Sequence, residues 1–417
     1  MKFKKHTGTT PLKEGDDNIS WESKQPFWLL KKSKALSEKL KANILSADTF
    51  SSHIFIASSG SLSGEEIKIM ALSKKALLLS AKVVNKHLQI TEEDRLLSVL
   101  SPYHVADLAV KARAYVSGAT LVSKKIVQPW SPTHFVNLLK QENISVTSLV
   151  PAQVFDLITK NIVCPKNVRL VIVGGSALSA ELCYKALQLG WPIISTYGMT
   201  ELCSQVATAS LKDLKTLQKA VLKKETNEED IKKAVQSYVT CWKLLPHINA
   251  KVNQENLYLQ SDALLSAEFI VKNNTLITKK EYTNQEWFLT QDHAILQDRK
   301  LYFKSKGWGK IKIKSKLVFL KELNSLLEDL NLHNNLNLKN IYLFPKEHIK
   351  EGFRLVLISE CSNISTKNTS ILVSAFNNKV QSHEKVRCIY YLPTIPKTDL
   401  GKLRVEAIKP LLQLGKK

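Results

Sequence analysis

The sequence predicts an α/β fold, and three features of one stretch support this prediction. The apolar, β-branched run from Leu170 to Val173 is typical of a buried strand. A helix is expected next, beginning after the N-cap Ser179 and ending at Gly190. A second strand then runs from Pro192 to Thr196. Strand, helix and strand in this order predict a βαβ unit whose two strands are parallel.

The two loops that follow these strands are expected to line one ligand site, because ligands of such sheets bind beyond the carboxyl ends of the strands. The first loop begins with Gly174-Gly175-Ser176, and the second is the pentapeptide Tyr197-Gly198-Met199-Thr200-Glu201. The glycine of the pentapeptide lets the backbone approach a ligand, its threonine can donate to an anion, and its glutamate suits a hard cation. On its own, such a pentapeptide is more often a polar turn capped by the threonine.

Bulk composition predicts a cytoplasmic protein without a membrane span. The chain has 417 residues, enough for two or three domains. No apolar run approaches the roughly 18 residues that cross a bilayer, and the first residues lack the apolar core of a secretory signal. The six cysteines have no Cys-x-x-Cys spacing, so reduced thiols are expected rather than disulfides or a zinc site.

The formal net charge of +23 raises the question of a nucleic-acid partner. The excess is mostly lysine and is spread along the whole chain, and no basic motif with interleaved aromatic residues is present. We therefore expect no nucleic-acid partner. A basic field still favours small anionic substrates.

The N-terminal part predicts a short helix and then a strand that leads into a phosphate-binding loop. The helix-like stretch runs from Lys34 to Ala47, and the strand-like run from His53 to Ser58. The following residues are rich in serine and glycine, and small side chains expose the backbone N–H groups that cradle phosphates. A Ser/Gly linker is the alternative. The candidate phosphate-binding residues are Ser59, Gly60, Ser61, Ser63, Gly64 and Lys68.

Three further segments extend the α/β pattern. Helical spacing of apolar residues predicts a helix from Ala71 to Leu88. The segment from Val146 to Leu157 predicts a strand followed by a helix that starts after Pro151. The charged stretch from Leu211 to Gln236 predicts a pair of surface helices, for which a partner-binding role stays open.

These segments resemble, in the same order, the motifs of the adenylate-forming superfamily of acyl-CoA synthetases, luciferases and peptide-synthetase adenylation domains. The pentapeptide at Tyr197 resembles the AMP-binding loop, and residues 58–68 resemble the phosphate loop without its proline. Glu286 to Asp292 resembles the Trp-Phe-x-Thr-Gly-Asp motif, and Leu392 to Leu403 the final Gly-Lys motif. The run from Glu201 to Thr208 is most similar to o-succinylbenzoate–CoA ligases of menaquinone biosynthesis.

The resemblance implies a role for each candidate residue. In the superfamily the tyrosine of the AMP-binding loop packs on adenine, the threonine meets the α-phosphate, and the glutamate holds Mg²⁺. Asp292 would accept hydrogen bonds from the ribose hydroxyls, Lys306 would replace an arginine of the hinge, and Lys402 would be the adenylation lysine. The candidates are, for catalysis, Lys402, Thr200, Glu201 and His104; for ATP or AMP, Ser59, Gly60, Ser61, Ser63, Gly64, Lys68, Gly174, Gly175, Ser176, Tyr197, Gly198, Met199, Asp292 and Lys306; for substrate, His104, Arg113, Gln153 and Gly174; and for Mg²⁺, Glu201.

The resemblance covers roughly residues 50 to 405 and implies two domains. Residues 1–303 would form a large domain of mixed, largely parallel sheets flanked by helices and shortened at its N-terminus. Residues 304–417 would form a small, mobile α+β domain. The implied function is an AMP-forming carboxylate–CoA ligase that uses ATP, Mg²⁺ and CoA. Two alternatives stay open: an acyl-adenylating enzyme or a ligase for another acid, and a degenerate, non-catalytic nucleotide-binding member.

Overall fold

The computed structural model describes residues 19–30, 36–45, 50–57, 66–122, 130–176, 178–223, 227–306, 310–313, 316–348, 352–360, 365–398 and 403–414. Within these ranges the strands form three sheets. In chain order the elements are β1 (Phe27–Leu29), α1 (Glu38–Ile44), β2 (His53–Ala57), β3 (Glu66–Ser73), α2 (Lys74–Leu88), β4 (Arg95–Ser98), α3 (Val105–Ser117), β5 (Thr120–Val122), α4 (Pro132–Gln141), β6 (Val146–Leu149), α5 (Pro151–Thr159), β7 (Leu170–Val173), α6 (Ala180–Gln188), β8 (Ile193–Met199), β9 (Ser204–Thr208), α7 (Leu211–Lys223), α8 (Glu228–Thr240), β10 (Cys241–Leu244), β11 (Asn249–Asn253), β12 (Asn256–Gln260), β13 (Ala267–Lys272), β14 (Thr275–Glu281), β15 (Phe288–Gln297), β16 (Lys300–Lys306), β17 (Lys310–Ile313), β18 (Lys316–Phe319), α9 (Leu320–His333), β19 (Ile341–His348), β20 (Gly352–Glu360), α10 (Ser365–Asn377), β21 (Ile389–Leu392) and α11 (Val405–Leu414).

The central sheet has the strand order β11-β12-β15-β16-β10-β9-β8-β7-β6-β4-β5. Strands β8, β7, β6, β4 and β5, which are neighbours in this order, pair in parallel. Every pair from β8 towards β11 is antiparallel. Strands β6 and β7 are buried along their whole length, as expected for parallel strands that are covered on both faces. The predicted α/β class with mixed sheets is confirmed, and the parallel pairing is concentrated in one half of this sheet.

The predicted βαβ unit is confirmed in detail. Ser179 caps α6, with its hydroxyl accepting a hydrogen bond from the backbone N–H of Leu182. Gly190 follows the helix with a φ of 80°, a left-handed conformation that suits glycine. Strands β7 and β8 pair in parallel, with Ile172 opposite Ile194.

The second sheet, β1-β2-β3-β13-β14, is buried on both faces of its inner strands. Met70 and Leu72 on β3 join the main core, whereas Ile69 and Ala71 join a smaller core beneath α1. The predicted phosphate-binding segment overlaps β3, because this strand begins at Glu66 and pairs with β13 from that residue onward. Lys68 therefore lies on a strand.

The helix pair predicted between Leu211 and Gln236 is confirmed as α7 and α8, but it is not purely a surface feature. Both helices contact α6. The face turned inward is apolar and buried, and the hydroxyl of Tyr238 donates to the carbonyl oxygen of Ile193 at 2.9 Å. The inward residues are Leu214, Leu217, Val221, Ile231, Val235, Tyr238 and Val239.

The third sheet has the order β18-β17-β20-β19, with β21 parallel to β20. Its two faces have separate cores: Leu355 and Leu357 pack with residues of α9 and α10, and Val356 and Ile358 pack with residues of α11. This is the small α+β architecture that was predicted for the C-terminal part. Strand β16 extends to Lys306 within the central sheet, and the domain boundary at residue 303 stays a prediction.

Helix α9 connects the third sheet to the rest of the chain. Leu332 on α9 is 2% exposed and belongs to the main core, beside α6. The ammonium of Lys185 on α6 donates to the carbonyl oxygen of Leu332 at 2.7 Å, and Lys339 forms an ion pair with Asp156 on α5. In the described part of the chain, no helix combines the length and apolar character that crossing a bilayer requires.

Candidate active site

The AMP-binding-type pentapeptide forms the end of β8 and the turn that follows it. It was predicted to be a loop, but Tyr197 to Met199 continue the strand because β9 folds back and pairs antiparallel with them. A single 3-10 turn, Thr200–Leu202, and two left-handed residues, Cys203 and Ser204, complete the reversal. A Cβ on Gly198 would lie 2.0 Å from the carbonyl oxygen of Ser204. The close packing of β8 on β9 therefore requires glycine at this position.

Tyr197 and Asp292 meet at this strand end. The Tyr197 hydroxyl donates to Oδ2 of Asp292 at 2.5 Å, and the two residues are 8% and 4% exposed. The Tyr197 ring stacks on Trp242, with ring centroids 5.9 Å apart and an angle of 18° between the planes. Burial, and then the charge of Asp292 and the hydrogen bond to it, raise the pKa of Tyr197 well above its ordinary value. The hydroxyl is therefore a neutral donor at physiological pH.

Glu201, the candidate Mg²⁺ ligand, lies beside a lysine of the second sheet. Its Oε1 is 3.8 Å from Nζ of Lys68, and the same ammonium lies 2.6 Å from Oε1 of Glu268. The described residues contain no group of three or more His, Cys, Asp or Glu side chains that would enclose a metal. A single carboxylate fits Mg²⁺ all the same, because this ion is commonly held by one or two carboxylates together with substrate phosphates.

Arg113 lies in a buried polar network at the predicted substrate pocket. Its Nη1 donates to Oε1 of Gln205 at 2.7 Å and its Nη2 approaches Oγ of Ser148 at 3.4 Å. Its Nε has no hydrogen-bond partner among the described residues. Burial lowers the pKa of Arg113 to about 10, so the side chain stays cationic at neutral pH. The sequence pattern predicts no role for Gln205 or Ser148, and Gln205 is part of the run from Glu201 to Thr208.

The other described candidates lie at the carboxyl edge of the parallel strands or cap a helix there. Gly174 and Gly175 follow β7; a Cβ on Gly174 would lie 2.7 Å from Oγ1 of Thr196, and Gly175 has a φ of 88°. His104 is the buried N-cap of α3. Gln153 caps α5, with its Oε1 accepting from the backbone N–H of Val150 at 3.0 Å. The remaining described candidates at this edge are Ser176, Met199 and Thr200.

Some candidates lie outside the described residues. Ser59, Gly60, Ser61, Ser63, Gly64 and Lys402 are among them. The backbone of Lys306 pairs with Asp292, in register across β15 and β16, but its side chain is not described. Lys397 and Leu403, which lie before and after Lys402 in the chain, form an isolated antiparallel β-bridge.

The family model described as "AMP-binding enzyme" matches residues 68–258. Residues 68–258 are therefore similar to the AMP-binding enzymes, and over this part of the chain the predicted resemblance to adenylate-forming enzymes is confirmed.

Several 2-succinylbenzoate–CoA ligases are similar to this chain. The protein of this name from Staphylococcus epidermidis is 24% identical over 350 residues, which are 80% of this chain and 64% of that protein. Its counterpart from Staphylococcus aureus is 39% identical over 114 residues, or 27% of this chain and 23% of that protein. The chain thus spans about 64% of the length of the first of these relatives.

Solved structures show the same fold. The o-succinylbenzoate CoA synthetase of Bacillus subtilis in complex with the acyl-adenylate OSB-AMP matches with a TM-score of 0.64 at 18% identity, covering 85% of this chain and 68% of that one. An anthranilate CoA ligase in complex with anthranoyl-AMP matches with a TM-score of 0.64 at 14% identity, covering 86% and 67%.

Proposed function

We propose that this chain is an ATP-dependent, AMP-forming carboxylate–CoA ligase that acts on o-succinylbenzoate, the reaction named for its curated relatives. The observation that carries the proposal is the contact of Tyr197 with Asp292 next to Glu201, at the carboxyl end of β8. A stacked aromatic ring, a buried carboxylate and a cation-binding carboxylate are the groups that a nucleotide requires. The proposal places the enzyme in the cytoplasm, in menaquinone biosynthesis.

The nucleotide half of the site would act by positioning and charge stabilisation. The Asp292 carboxylate, which accepts from Tyr197 through Oδ2, would also accept hydrogen bonds from the ribose hydroxyls. The Thr200 hydroxyl would orient the α-phosphate, and Glu201 would hold Mg²⁺. Bound Mg²⁺ supplies neutralisation of the phosphate charge. Lys402 would bridge the attacking carboxylate and the α-phosphate, so that the acid forms an acyl-adenylate and pyrophosphate leaves.

Arg113 is proposed to select the acid. A fully buried guanidinium whose described partners are a neutral amide and a hydroxyl is an electrostatic receptor for a carboxylate. O-succinylbenzoate has two carboxylates, and one of them would bind Arg113 while the other reacts with ATP. The closely packed backbone at Gly174 and the buried His104 would form the walls of the same pocket.

The second half-reaction would require the third sheet and its helices to move, so that CoA reaches the acyl-adenylate. In it, the CoA thiol sulfur attacks the acyl carbon, the thioester C–S bond forms, and AMP leaves with the bonding electron pair while the thiol proton is released.

A product assay separates this proposal from its alternatives. The protein is incubated with ATP, Mg²⁺, CoA and o-succinylbenzoate; pyrophosphate release and the thioester mass are then measured. Both products are expected. Pyrophosphate without thioester identifies an acyl-adenylating enzyme, and turnover only with other acids identifies a different ligase. ATP binding without turnover on any acid identifies a non-catalytic nucleotide-binding protein.

A further inference from the structure

Strands β3 and β13 hold a lysine and a glutamate side by side on one face of the second sheet. Lys68 lies opposite Ile270, and Met70 lies opposite Glu268. Because alternate residues of a strand share a face, Lys68 and Glu268 are diagonal neighbours. Nζ of Lys68 is 2.6 Å from Oε1 of Glu268, and the two side chains are 25% and 16% exposed. This ion pair is therefore largely shielded from water.

The same ammonium also forms a longer ion pair with the candidate Mg²⁺ carboxylate, 3.8 Å from Oε1 of Glu201. The backbone positions Glu201 relative to Lys68, because the N–H of Leu265 donates to the carbonyl oxygen of Glu201 at 2.8 Å. Leu265 lies three residues before Glu268, so the segment that leads into β13 fixes the turn that carries Glu201. Glu268 then holds the Lys68 ammonium closer to β13 than to Glu201.

Tyr282, which directly follows β14, supports Glu268. Its backbone N–H donates to the carbonyl oxygen of Ser266 at 2.9 Å, which anchors it at the start of β13. Burial raises the pKa of Tyr282, and the charge of Glu268 and a hydrogen bond to it raise that pKa further. The neutral hydroxyl and the ammonium together hold the Glu268 carboxylate in place.

We propose that Glu268 is a positioning residue, which keeps the Lys68 ammonium from pairing more closely with Glu201, so that Glu201 is available to Mg²⁺ and Lys68 to the phosphates of ATP. This inference rests on the proposed function. Without the attraction of Glu268, the Lys68 ammonium would shorten its 3.8 Å distance to Glu201 and compete with the metal for that carboxylate. The superfamily pattern has a proline before this lysine, which this chain lacks; here a cross-strand carboxylate orients the lysine instead.

The test compares the Mg²⁺ dependence of the wild-type protein with that of four variants. Titration calorimetry with ATP, and pyrophosphate release with o-succinylbenzoate, are each measured over a series of Mg²⁺ concentrations. For E268Q, the half-saturating Mg²⁺ concentration is expected to rise about tenfold, a larger effect than any change in kcat. E268D keeps the charge and should lie near the wild type. In K68M/E268Q the competing ammonium is gone, so the Mg²⁺ requirement should return towards the wild-type value.

E281Q is the matched control, because Glu281 pairs with Lys279 at 2.5 Å on the neighbouring strand β14, with 56% of its side chain exposed. It should leave the Mg²⁺ dependence unchanged. A wild-type Mg²⁺ dependence in E268Q overturns the inference, and so does a loss of ATP binding that added Mg²⁺ does not restore. Wild-type protein that binds ATP but releases no pyrophosphate refutes the ligase function alone, because calorimetry still tests Glu268. Wild-type protein that binds no ATP refutes both.

Discussion

The hydroxyl of Tyr197 reaches the carboxylate of Asp292, although the strands that carry them are not neighbours. Strands β9, β10 and β16 lie between β8 and β15 in the central sheet. In a flat sheet four strand spacings would separate the two strands by about 19 Å. The hydrogen bond of 2.5 Å therefore requires the antiparallel half of the sheet to curl around the Tyr197 ring. Register irregularities next to both residues, at Gly198 and His293, are the local bends that permit this curl.

Removing the Tyr197 hydroxyl should weaken the fold. Y197F keeps the stacked ring and leaves the buried Asp292 carboxylate without its strongest described donor. We expect a loss of about 2 kcal/mol in the free energy of unfolding, measured with urea. Y115F is the control, because Tyr115 is 46% exposed and its hydrogen bond to Glu22 lies at the surface. A loss in Y197F as small as that in Y115F would contradict the assigned contact.

Alanine at Gly198 should disrupt the site far more than alanine at Gly175. The added Cβ of G198A would meet the Ser204 carbonyl oxygen at 2.0 Å, so the turn between β8 and β9 has to move. We expect a destabilisation of about 3 kcal/mol or more and loss of ATP binding. G175A meets only Val150 at 3.5 Å, and its positive φ of 88° costs about 1–2 kcal/mol. Thermal unfolding and calorimetry measure both; similar effects of the two variants would contradict the steric argument.

Arg113 should govern affinity for the acid and not for ATP. In R113K the single ammonium cannot reproduce the two hydrogen-bonded arms of the guanidinium. The KM for o-succinylbenzoate is expected to rise about tenfold to a hundredfold while the KM for ATP stays within about twofold. R95K, at an arginine that pairs with Glu142 near the surface, is the control for folding effects. Equal changes in both KM values would show that Arg113 supports the fold and does not select the acid.

Glu328 on α9 should make the protein less stable as the pH rises. Burial, and then the neighbouring Asp329, raise the pKa of Glu328 from 4.5 to about 8. A raised folded-state pKa stabilises the protein fully below about pH 4.5, and this contribution is lost as the pH rises through about 8. E328Q mimics the protonated carboxyl and should gain on the order of 1 kcal/mol at pH 8, with a flatter pH dependence. Urea unfolding at pH 5 to 8 measures this, with the exposed Glu322 changed to Gln as the control; parallel curves for E328Q and the wild type would contradict it.

The parallel half of the central sheet follows directly from local sequence. Leu170 to Val173 is an apolar, mostly β-branched run that is typical of a buried strand. The N-cap Ser179 and the C-terminal Gly190 fix the bounds of the helix that follows. The meeting of Tyr197 with Asp292 could be expected only from the resemblance, because no local signal encodes a contact across three intervening strands. Glu268 could not be found from the sequence, since its segment reads as an ordinary strand. Its importance arises from the register of β3 with β13, which a long-range pairing sets.

Leu332 sets a free-energy cost for separating α9 from the main core. Its side chain is buried in the main core, whereas Leu323 and Leu327 of the same helix pack under the third sheet. One helix thus belongs to two hydrophobic cores, and a rotation of the third sheet away from α6 would expose Leu332 to water. Exposing one such side chain costs about 2 kcal/mol, which is several times the thermal energy. The third sheet and its helices would therefore move between discrete positions and not through a continuous range.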